Sequence, residues 1–453
     1  MPRPRDTDDD GPGTPRRLPL WSVVAFAIVA GLGIGRFVTA GSDDGARAVS
    51  EAPAFRSDLG HEEQIAALEA RVTVEPTDAT AWRLLGTAYA GRAAIVEDPE
   101  LYEKAEAAFE RASALAPGDP TILVGRGSLA LTLHQFSEAE SLGARATAAL
   151  PANADALGVL VDAQVELGKY DDAADTLQEM LDVRPGLPAL ARASYLRQLN
   201  GDLDGAVEAM RRAAVAGASS PFDVAVVTTL LGDLHRRAGD LELATTAYAD
   251  ATAAAPELIT AQAGTAWATA AGGDIEGAIS RLEALIGEYP SPSLALLQLD
   301  LQRGSGDHDA ADDTAELVRA ISVLQEQSGQ VVDLEMALFE ADEQVDTARG
   351  VALAARAQQV RPDNLFVDDA MAWALYRDGD AGSAAEFMDE ALRFGSTEPL
   401  IRYHAAEIAL ANGDEVAAAQ HLELALRDPW FSFRHRDRAI SLADRLGLEA
   451  ATP

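Results

Sequence analysis

The sequence predicts an all-α protein in which about ten helical pairs stack into an α-solenoid behind one N-terminal hydrophobic segment. Three observations support this prediction. The chain has 453 residues, more than one globular core usually includes, so an elongated array or several domains is expected. Only 6% of the residues are aromatic, and Ala, Leu, Glu and Arg fill long stretches, which favours helix nearly throughout. Prolines that end helices recur every 34 residues, at Pro117, Pro151 and Pro185 and again at Pro256 and Pro290.

The first 60 residues divide into three segments. Residues 1–17 contain four Arg and four Asp residues among Gly and Pro, a composition typical of a disordered tail. Residues 18–40 begin with an uncharged run from Leu18 to Gly35, and snorkelling of Arg36 extends this run to the roughly 17 to 25 residues that span hydrocarbon. We therefore predict a transmembrane anchor over residues 18–40. Residues 41–60 are rich in Gly, Ser, Asp and Ala, as expected of a flexible linker.

The charges beside the hydrophobic run predict its orientation. Four Arg residues precede it, whereas Arg36 and Arg47 follow, and this excess predicts a cytoplasmic N-terminus. The protein is then a single-pass protein of the cell membrane, with its large C-terminal region outside the cytoplasm. A cleavable signal peptide is the alternative, because residues 38–40 (VTA) are small or apolar where a signal peptidase reads. Both interpretations predict export.

One face of the hydrophobic segment carries small residues. Ala27, Gly31 and Gly35 recur every four residues and would let two such helices approach closely in the bilayer, which suggests a homodimer. The alternative is that these residues have no pairing role, since glycine is frequent in transmembrane helices.

Charge and composition exclude several classes of partner and site. The formal net charge of −37 would repel a phosphate backbone, so no nucleic-acid partner is predicted. There is no cysteine, which excludes disulfides and thiolate metal sites. Lys104 and Lys169 are the only lysines while Arg is plentiful, a bias that suggests a bacterial, GC-rich genome.

The resemblance to a known family begins in the first helical pair. Its signature residues are Trp82, Leu85, Gly86 and Tyr89 in one helix, followed by Ala105, Phe109, Ala112 and Pro117. This order resembles the signature of the tetratricopeptide-repeat (TPR) family, whose repeat is 34 residues long, and the resemblance extends over residues 62–446. About seven additional residues around Arg92 to Pro99 are expected to lengthen the turn between the two helices.

Two recurring residue types set the phase of the repeats. A small residue stands where the two helices of each pair cross, at Ala105, Ala139, Ala173, Ala206, Ala244, Ala278, Ala311, Gly350, Ala384 and Ala418, which makes ten candidate repeats. Turn glycines between the paired helices, most of them followed by an Asp N-cap, are expected in the left-handed conformation at Gly168, Gly201, Gly239, Gly273, Gly306, Gly379 and Gly413. We predict the array over residues 62–430, and a capping helix and tail over residues 431–453, with the charged face of that helix in solvent.

No catalytic, cofactor or metal site is predicted. The seven histidines are scattered, no helix carries paired zinc-ligand spacing, and no phosphate-binding loop with a Lys occurs. The protein is accordingly not expected to be an enzyme. Repeats seven and eight, at about residues 292–362, fit the pattern least well, and an enzyme inserted there is the alternative that a helical pair at residues 331–362 would remove.

The TPR resemblance implies a right-handed superhelix with a concave groove that holds peptides or partner helices, and hence a scaffold for assembling or recruiting a complex. Counting nine positions into each repeat gives groove residues, extended by neighbours in the last two repeats: Tyr195, Asp233, Trp267, Asp300, Phe339, Trp373, Tyr376, Arg377, Tyr403 and Glu407. The alternative is that Trp267 and Trp373 are packing residues shielded by the next repeat. The opening residues 63–90 also look like the exported TPR part of anchored subunits in bacterial cytochrome c maturation, which implies an alternative role as a chaperone-like subunit.

Overall fold

The computed structural model describes residues 61–96, 98–217, 221–327 and 329–448. All regular structure in these ranges is helical. The predicted tail, anchor, linker and dimer face at residues 1–60 lie outside the described residues. Among the helices that are described, none combines the length and the apolar character that a membrane span requires.

Twenty-two helices follow one another in the described ranges. They are α1 (His61–Val74), α2 (Ala79–Val96), α3 (Pro99–Leu115), α4 (Pro120–Thr132), α5 (Phe136–Ala149), α6 (Ala154–Glu166), α7 (Tyr170–Val183), α8 (Leu187–Leu199), α9 (Leu203–Ala216), α10 (Pro221–Arg237), α11 (Leu241–Ala254), α12 (Ile259–Ala271), α13 (Ile275–Glu288), α14 (Pro292–Ser305), α15 (His308–Gln327), α16 (Asp333–Glu343), α17 (Thr347–Val360), α18 (Leu365–Asp378), α19 (Ala381–Ala391), α20 (Pro399–Ala411), α21 (Glu415–Ala425) and α22 (Phe433–Arg445). The ten predicted pairs are α2/α3 through α20/α21, with α1 and α22 flanking them.

The small residues at the helix crossings are buried, as predicted. Each of the nine alanines has 0% exposure, from Ala105 to Ala418. In the eighth pair the small residue is Gly350, where an added Cβ would lie 3.3 Å from the Ala337 carbonyl oxygen. A larger side chain at these positions would force the paired backbones apart.

The turn glycines also follow the prediction. All seven have a positive φ, between 65° and 100°, and so end the first helix of their pair in a conformation that favours glycine. The same turn position is occupied without glycine in two pairs, by His134 at φ 57° and Gln344 at φ 53°. Asp caps follow in most turns; the carboxylate of Asp380, for example, accepts a hydrogen bond from the backbone N–H of Ser383.

Two expectations about irregular repeats are resolved by the fold. The additional residues near Arg92 lengthen helix α2 to 18 residues, not the turn after it, because a helix-forming segment continues to Val96 and α3 starts at Pro99 behind the N-cap Asp98. Residues 331–362 contain the helical pair α16/α17, so the seventh and eighth repeats are not interrupted by a separate domain. The extra length before this pair lies in α15, which has 20 residues.

The array winds back on itself, so that loops between later pairs contact turns within earlier pairs. The backbone N–H of Val331 donates to the Leu133 carbonyl at 3.0 Å. The side-chain amide of Asn364 donates to the Glu166 carbonyl at 2.8 Å, and Arg237 Nε lies 3.1 Å from Glu398 Oε2. We call these contacts, together with Arg236–Asp428, the seam. They join residues between 161 and 198 positions apart in the sequence.

Helix α22 packs against α14. It also makes polar contacts with the array that a helix serving only to shield the last repeat from solvent would not need. The carboxylate of Asp300 accepts hydrogen bonds from Ser432 Oγ at 2.7 Å and from the Phe433 backbone N–H at 2.8 Å, so it neutralises the helix N-terminus. Arg438 makes two hydrogen bonds to the buried Glu407 carboxylate. The expectation that the charged face of this helix would simply face solvent is therefore wrong, because part of it pairs with acidic groups of the array.

Candidate binding cavity

The winding of the array encloses a central cavity of about 330 Å³. Its wall extends from the first repeat to the helix that follows the last one, from Tyr102 in α3 to His435 in α22. Small-molecule and cofactor sites typically occupy roughly 300 to 1,000 Å³, so this volume is sufficient for a ligand or for an inserted side chain.

Five of the ten predicted groove residues line this cavity: Tyr195, Asp233, Trp267, Asp300 and Phe339. Asp233 accepts a hydrogen bond from the hydroxyl of Tyr248 at 2.6 Å. The indole Nε1 of Trp267 donates to the Trp430 carbonyl across the seam at 3.4 Å. Burial raises the pKa of Tyr195 well above its usual value, and the negative charge of Glu166 acts in the same direction.

The other five predicted residues lie in a packed cluster and do not face the cavity: Trp373, Tyr376, Arg377, Tyr403 and Glu407. Trp373 is 1% exposed, donates to Asp342 Oδ1 at 2.8 Å and stacks on His404 with the ring centres 4.0 Å apart. Glu407 is also 1% exposed and accepts from Tyr403 at 3.1 Å and Tyr376 at 3.2 Å. The expectation of an open groove is corrected for Trp373, Tyr403 and Glu407, which are buried against α22. Tyr376 and Arg377 are half-buried beside them.

The cavity wall is richer in carboxylates than in cationic side chains. It carries six carboxylates and three guanidinium groups: Asp162, Glu166, Asp233, Asp300, Glu335 and Asp342 against Arg236, Arg361 and Arg434. Several of these charges are paired. Asp162 forms two hydrogen bonds with the buried Arg192, at 2.7 and 2.6 Å, and Arg361 approaches Glu166 at 3.5 Å.

Aromatic rings on the wall are partly covered by the protein's own arginines. Arg236 lies over the Trp267 ring at 5.2 Å, and Arg361 lies over the Phe136 ring at 5.0 Å. Both arginines also contact an acidic group across the seam. Arg236 Nη1 is 3.4 Å from Asp428 Oδ2, and Arg361 Nη1 is 3.5 Å from Glu166 Oε2. The seam thus holds cation–π and ion-pair contacts at the cavity wall.

Three polar groups on the wall were not predicted from the sequence. Glu335 Oε2, His404 Nε2 and Arg434 Nε are shielded from water and have no hydrogen-bond partner. Glu335 was within reach of sequence reasoning, because it stands four residues before Phe339 and hence on the same helix face. His404 and Arg434 had no such signal, since their place on the wall depends on how α20 and α22 return to earlier repeats.

The described part of the chain offers no metal centre, because no three of its His, Asp or Glu side chains are grouped closely enough to hold an ion. The histidines near the cavity have other contacts. His404 Nδ1 is 2.9 Å from Asp369 Oδ1, and His435 Nε2 is 3.1 Å from Asp342 Oδ1. Although burial acts to raise it, His435 and Arg434 hold the pKa of Asp342 well below its usual range.

Comparison with solved structures finds similar chains, two of which are described as tetratricopeptide-repeat proteins. A thermophilic TPR protein of Thermus thermophilus is 24% identical over 38% of this chain and 92% of its own, with a TM-score of 0.35. A tetratricopeptide repeat protein of Parabacteroides merdae is 18% identical over 58% and 98%, with a TM-score of 0.34. The human IFIT1 dimer with m7Gppp-AAAA is 14% identical over 74% and 77%, with a TM-score of 0.46. No curated protein matches the sequence.

Family models match three stretches of the chain, each described as a tetratricopeptide repeat. One model matches residues 130–194, and a second matches residues 100–154 and 229–292. These stretches coincide with helical pairs whose crossing and turn residues have the predicted positions. The protein therefore contains tetratricopeptide repeats, stacked as an all-helical solenoid.

Proposed function

We propose that the protein is a membrane-tethered TPR scaffold whose array lies outside the cytoplasm and recruits a protein partner. The tether is proposed from the hydrophobic run at residues 18–40 and the Arg residues before it. Recruitment is proposed from the TPR fold, which generally serves protein interaction. Because no predicted catalytic motif accompanies the repeats, the scaffold role is preferred to an enzymatic one.

One observation supports a particular binding site. Five residues counted from the repeat phase, in five different repeats, converge on one cavity. Asp233 and Tyr195 are half-buried there, whereas Trp267 is 7% exposed and Phe339 is 4% exposed. We expect a segment of the partner to insert a side chain into this cavity and to contact the half-buried members.

The structure determines which substitutions can test the site. Replacing Trp267 or Trp373 with Ala would remove buried rings and cost roughly 3 to 5 kcal/mol of stability, so such variants would confuse misfolding with lost binding. The double substitution Tyr195→Phe with Asp233→Asn keeps the size of both side chains. Its matched control is Asp250→Asn, on the exposed face of α11, which removes the same charge.

Partner capture is the measurement. The full-length protein, its double variant and the control are each expressed in the native host, crosslinked, purified in detergent and compared by quantitative mass spectrometry. We expect a specific partner that the wild type and Asp250→Asn capture equally, and at least a fivefold lower yield with the double variant at unchanged melting temperature. Equal capture by all three folded proteins would contradict the cavity as the partner site.

A further inference from the structure

The polar groups left without partners on the cavity wall indicate the chemistry of what enters it. We propose that the cavity binds an amphipathic cation, with an ammonium or guanidinium head at Glu335, an apolar body along α16 and a hydroxyl at His404. This inference rests on the proposed function in one respect, because it takes the same cavity as the binding site. It adds the chemical class of the group that binds there.

Glu335 is a carboxylate on the wall, and no Arg or Lys among the described residues lies within ion-pair distance of it. Its Oε2 is shielded from water and accepts no hydrogen bond, although the side chain as a whole is 33% exposed. Its Oε1 is 3.6 Å from His134 Nδ1, but that nitrogen lies 2.9 Å from the Val331 carbonyl oxygen. Since a carbonyl only accepts, Nδ1 carries its hydrogen towards Val331 and does not donate it to Glu335. A shielded carboxylate oxygen without a donor is costly, and a bound cation would supply the donor.

The surroundings of Glu335 carry an excess of negative charge. Asp162 and Glu166 are paired with Arg192 and Arg361, so the carboxylate of Glu335 is the one left over. Burial raises the pKa of Glu166 despite Arg361, and the like charge of Glu335 contributes to that rise. An entering cation would therefore be attracted to this end of the cavity, and an anion would be repelled.

The other end offers hydrogen bonds in both directions. His404 is 1% exposed, and its ring is held by Asp369 at 2.9 Å and by stacking on Trp373. Because the carboxylate of Asp369 accepts from Nδ1, Nε2 is the ring nitrogen left for a ligand, and it has no partner. Arg434 Nε, on the same wall, is a donor without a partner. A hydroxyl group can donate to the first and accept from the second.

Helix α16 gives the distance between the two ends. Glu335, Phe339 and Asp342 stand four and three residues apart and share one helix face. Asp342 marks the His404 end, because it accepts a hydrogen bond from Trp373, on which His404 stacks. Seven residues of helix rise roughly 10 Å, so the ligand needs an apolar body that passes Phe339 over about that length.

Two small molecules with the same phenol body and opposite heads test this chemistry. Tyramine carries an ammonium head, and 3-(4-hydroxyphenyl)propionate carries a carboxylate. Titration calorimetry on the full-length protein in detergent is expected to detect saturable binding of tyramine and at least tenfold weaker binding of the propionate. Absence of tyramine binding up to solubility, or equal or tighter binding of the propionate, overturns the proposal.

A pair of variants locates the head group. Glu335→Gln keeps the shape of the side chain and removes its charge, and we expect it to weaken tyramine binding by about tenfold or more. The control Glu179→Gln removes one charge from the exposed face of α7 and should leave the affinity within about twofold. Equal effects of the two variants would mean that the overall negative charge attracts the amine, and would overturn the assignment to Glu335.

Competition decides where the cation comes from. A capped pentapeptide with one central Arg among Ala residues displaces tyramine if the cation is a side chain of a partner. Tyramine binding that the peptide does not reduce supports a free amine as the source of the cation. Loss of partner capture in the Tyr195 and Asp233 variant, without any tyramine binding, would support the partner site and reject the cation. Tyramine binding by a protein that captures no partner would support the cation site and reject the partner site.

Discussion

Several side chains at the seam carry charge in surroundings that disfavour it. Glu398 precedes α20 and pairs with Arg237 of the fifth repeat at 3.1 Å. Burial raises the pKa of Glu398 to about 7 even though Arg237 and Arg236 favour its charged form, and the nearby Asp428 adds to the rise. Folding thus disfavours the charged carboxylate relative to the protonated carboxyl, so the stability of the protein depends on pH at this residue.

The sign of that linkage follows from the two pKa values. Below the ordinary value of 4.5, Glu398 is protonated whether the chain is folded or not. As the pH rises from 4.5 to about 7, the unfolded chain releases the proton first, so this contribution to stability is lost over that range. Glu398→Gln cannot titrate. Its unfolding free energy relative to wild type should improve by roughly 3 kcal/mol between pH 4.5 and pH 8.

Chemical denaturation of both proteins at several pH values measures this change, and taking the difference between them cancels the titration of other groups. Glu386→Gln, at an exposed position of α19, serves as the control and should show a difference that does not vary with pH. The raised pKa would be contradicted if the unfolding free energy of Glu398→Gln relative to wild type did not vary with pH, or if it favoured wild type at high pH.

At the scale of helices and turns, the same glycine position serves two purposes. In every pair where it occurs, glycine allows a left-handed residue between the two helices. In the third pair the turn also contacts the loop before α18, where an added Cβ on Gly168 would lie 2.3 Å from the Asp363 carbonyl carbon. In the ninth pair, Gly379 has the same left-handed conformation with nothing within 4 Å of such a Cβ.

This contrast gives a matched pair of substitutions. Gly379→Ala should cost about 1 to 2 kcal/mol, the strain of a left-handed non-glycine residue. Gly168→Ala should cost that amount and roughly 1 to 3 kcal/mol more, because the seam must separate. Chemical denaturation measures both costs, and small-angle scattering should show expansion of the Gly168 variant alone. Equal costs without expansion would argue against a closed seam in solution.

At the scale of the whole molecule, the membrane orientation is the prediction with the widest consequence. A phosphatase that is active only outside the cytoplasm, fused after Pro453, should be active, because the Arg residues before Leu18 keep the N-terminus inside. Val29→Asp places a carboxylate in the middle of the run, where insertion costs about 2.5 to 3.5 kcal/mol, and should mislocalise the fusion.

Enzyme activity in intact cells, with immunoblotting of membrane and soluble fractions, distinguishes the outcomes. A stable but inactive fusion would reverse the proposed orientation. An active fusion released in a shortened form would favour the signal-peptide alternative over the anchor.

The repeat architecture was predictable because it depends on residues close together in the sequence. The crossing alanines, the turn glycines and their Asp caps act within one helical pair, so a 34-residue period reveals them, and ten pairs were counted correctly. Half of the groove residues named from this phase line the cavity for the same reason. The lengthening of α2 was not predicted, because the extra segment has helical propensity as well as a position near a turn.

The seam, the enclosed cavity and the burial of Trp373, Tyr403 and Glu407 depend on the whole superhelix. Each repeat adds a small rotation to the next, and only the sum over five or six repeats determines which loop meets which turn. Contacts between residues 161 to 198 positions apart leave no period in the sequence. For that reason the positions of Glu335 Oε2 and His404 Nε2, the atoms without partners that carry the ligand proposal, are determined by the tertiary structure and not by the repeat pattern.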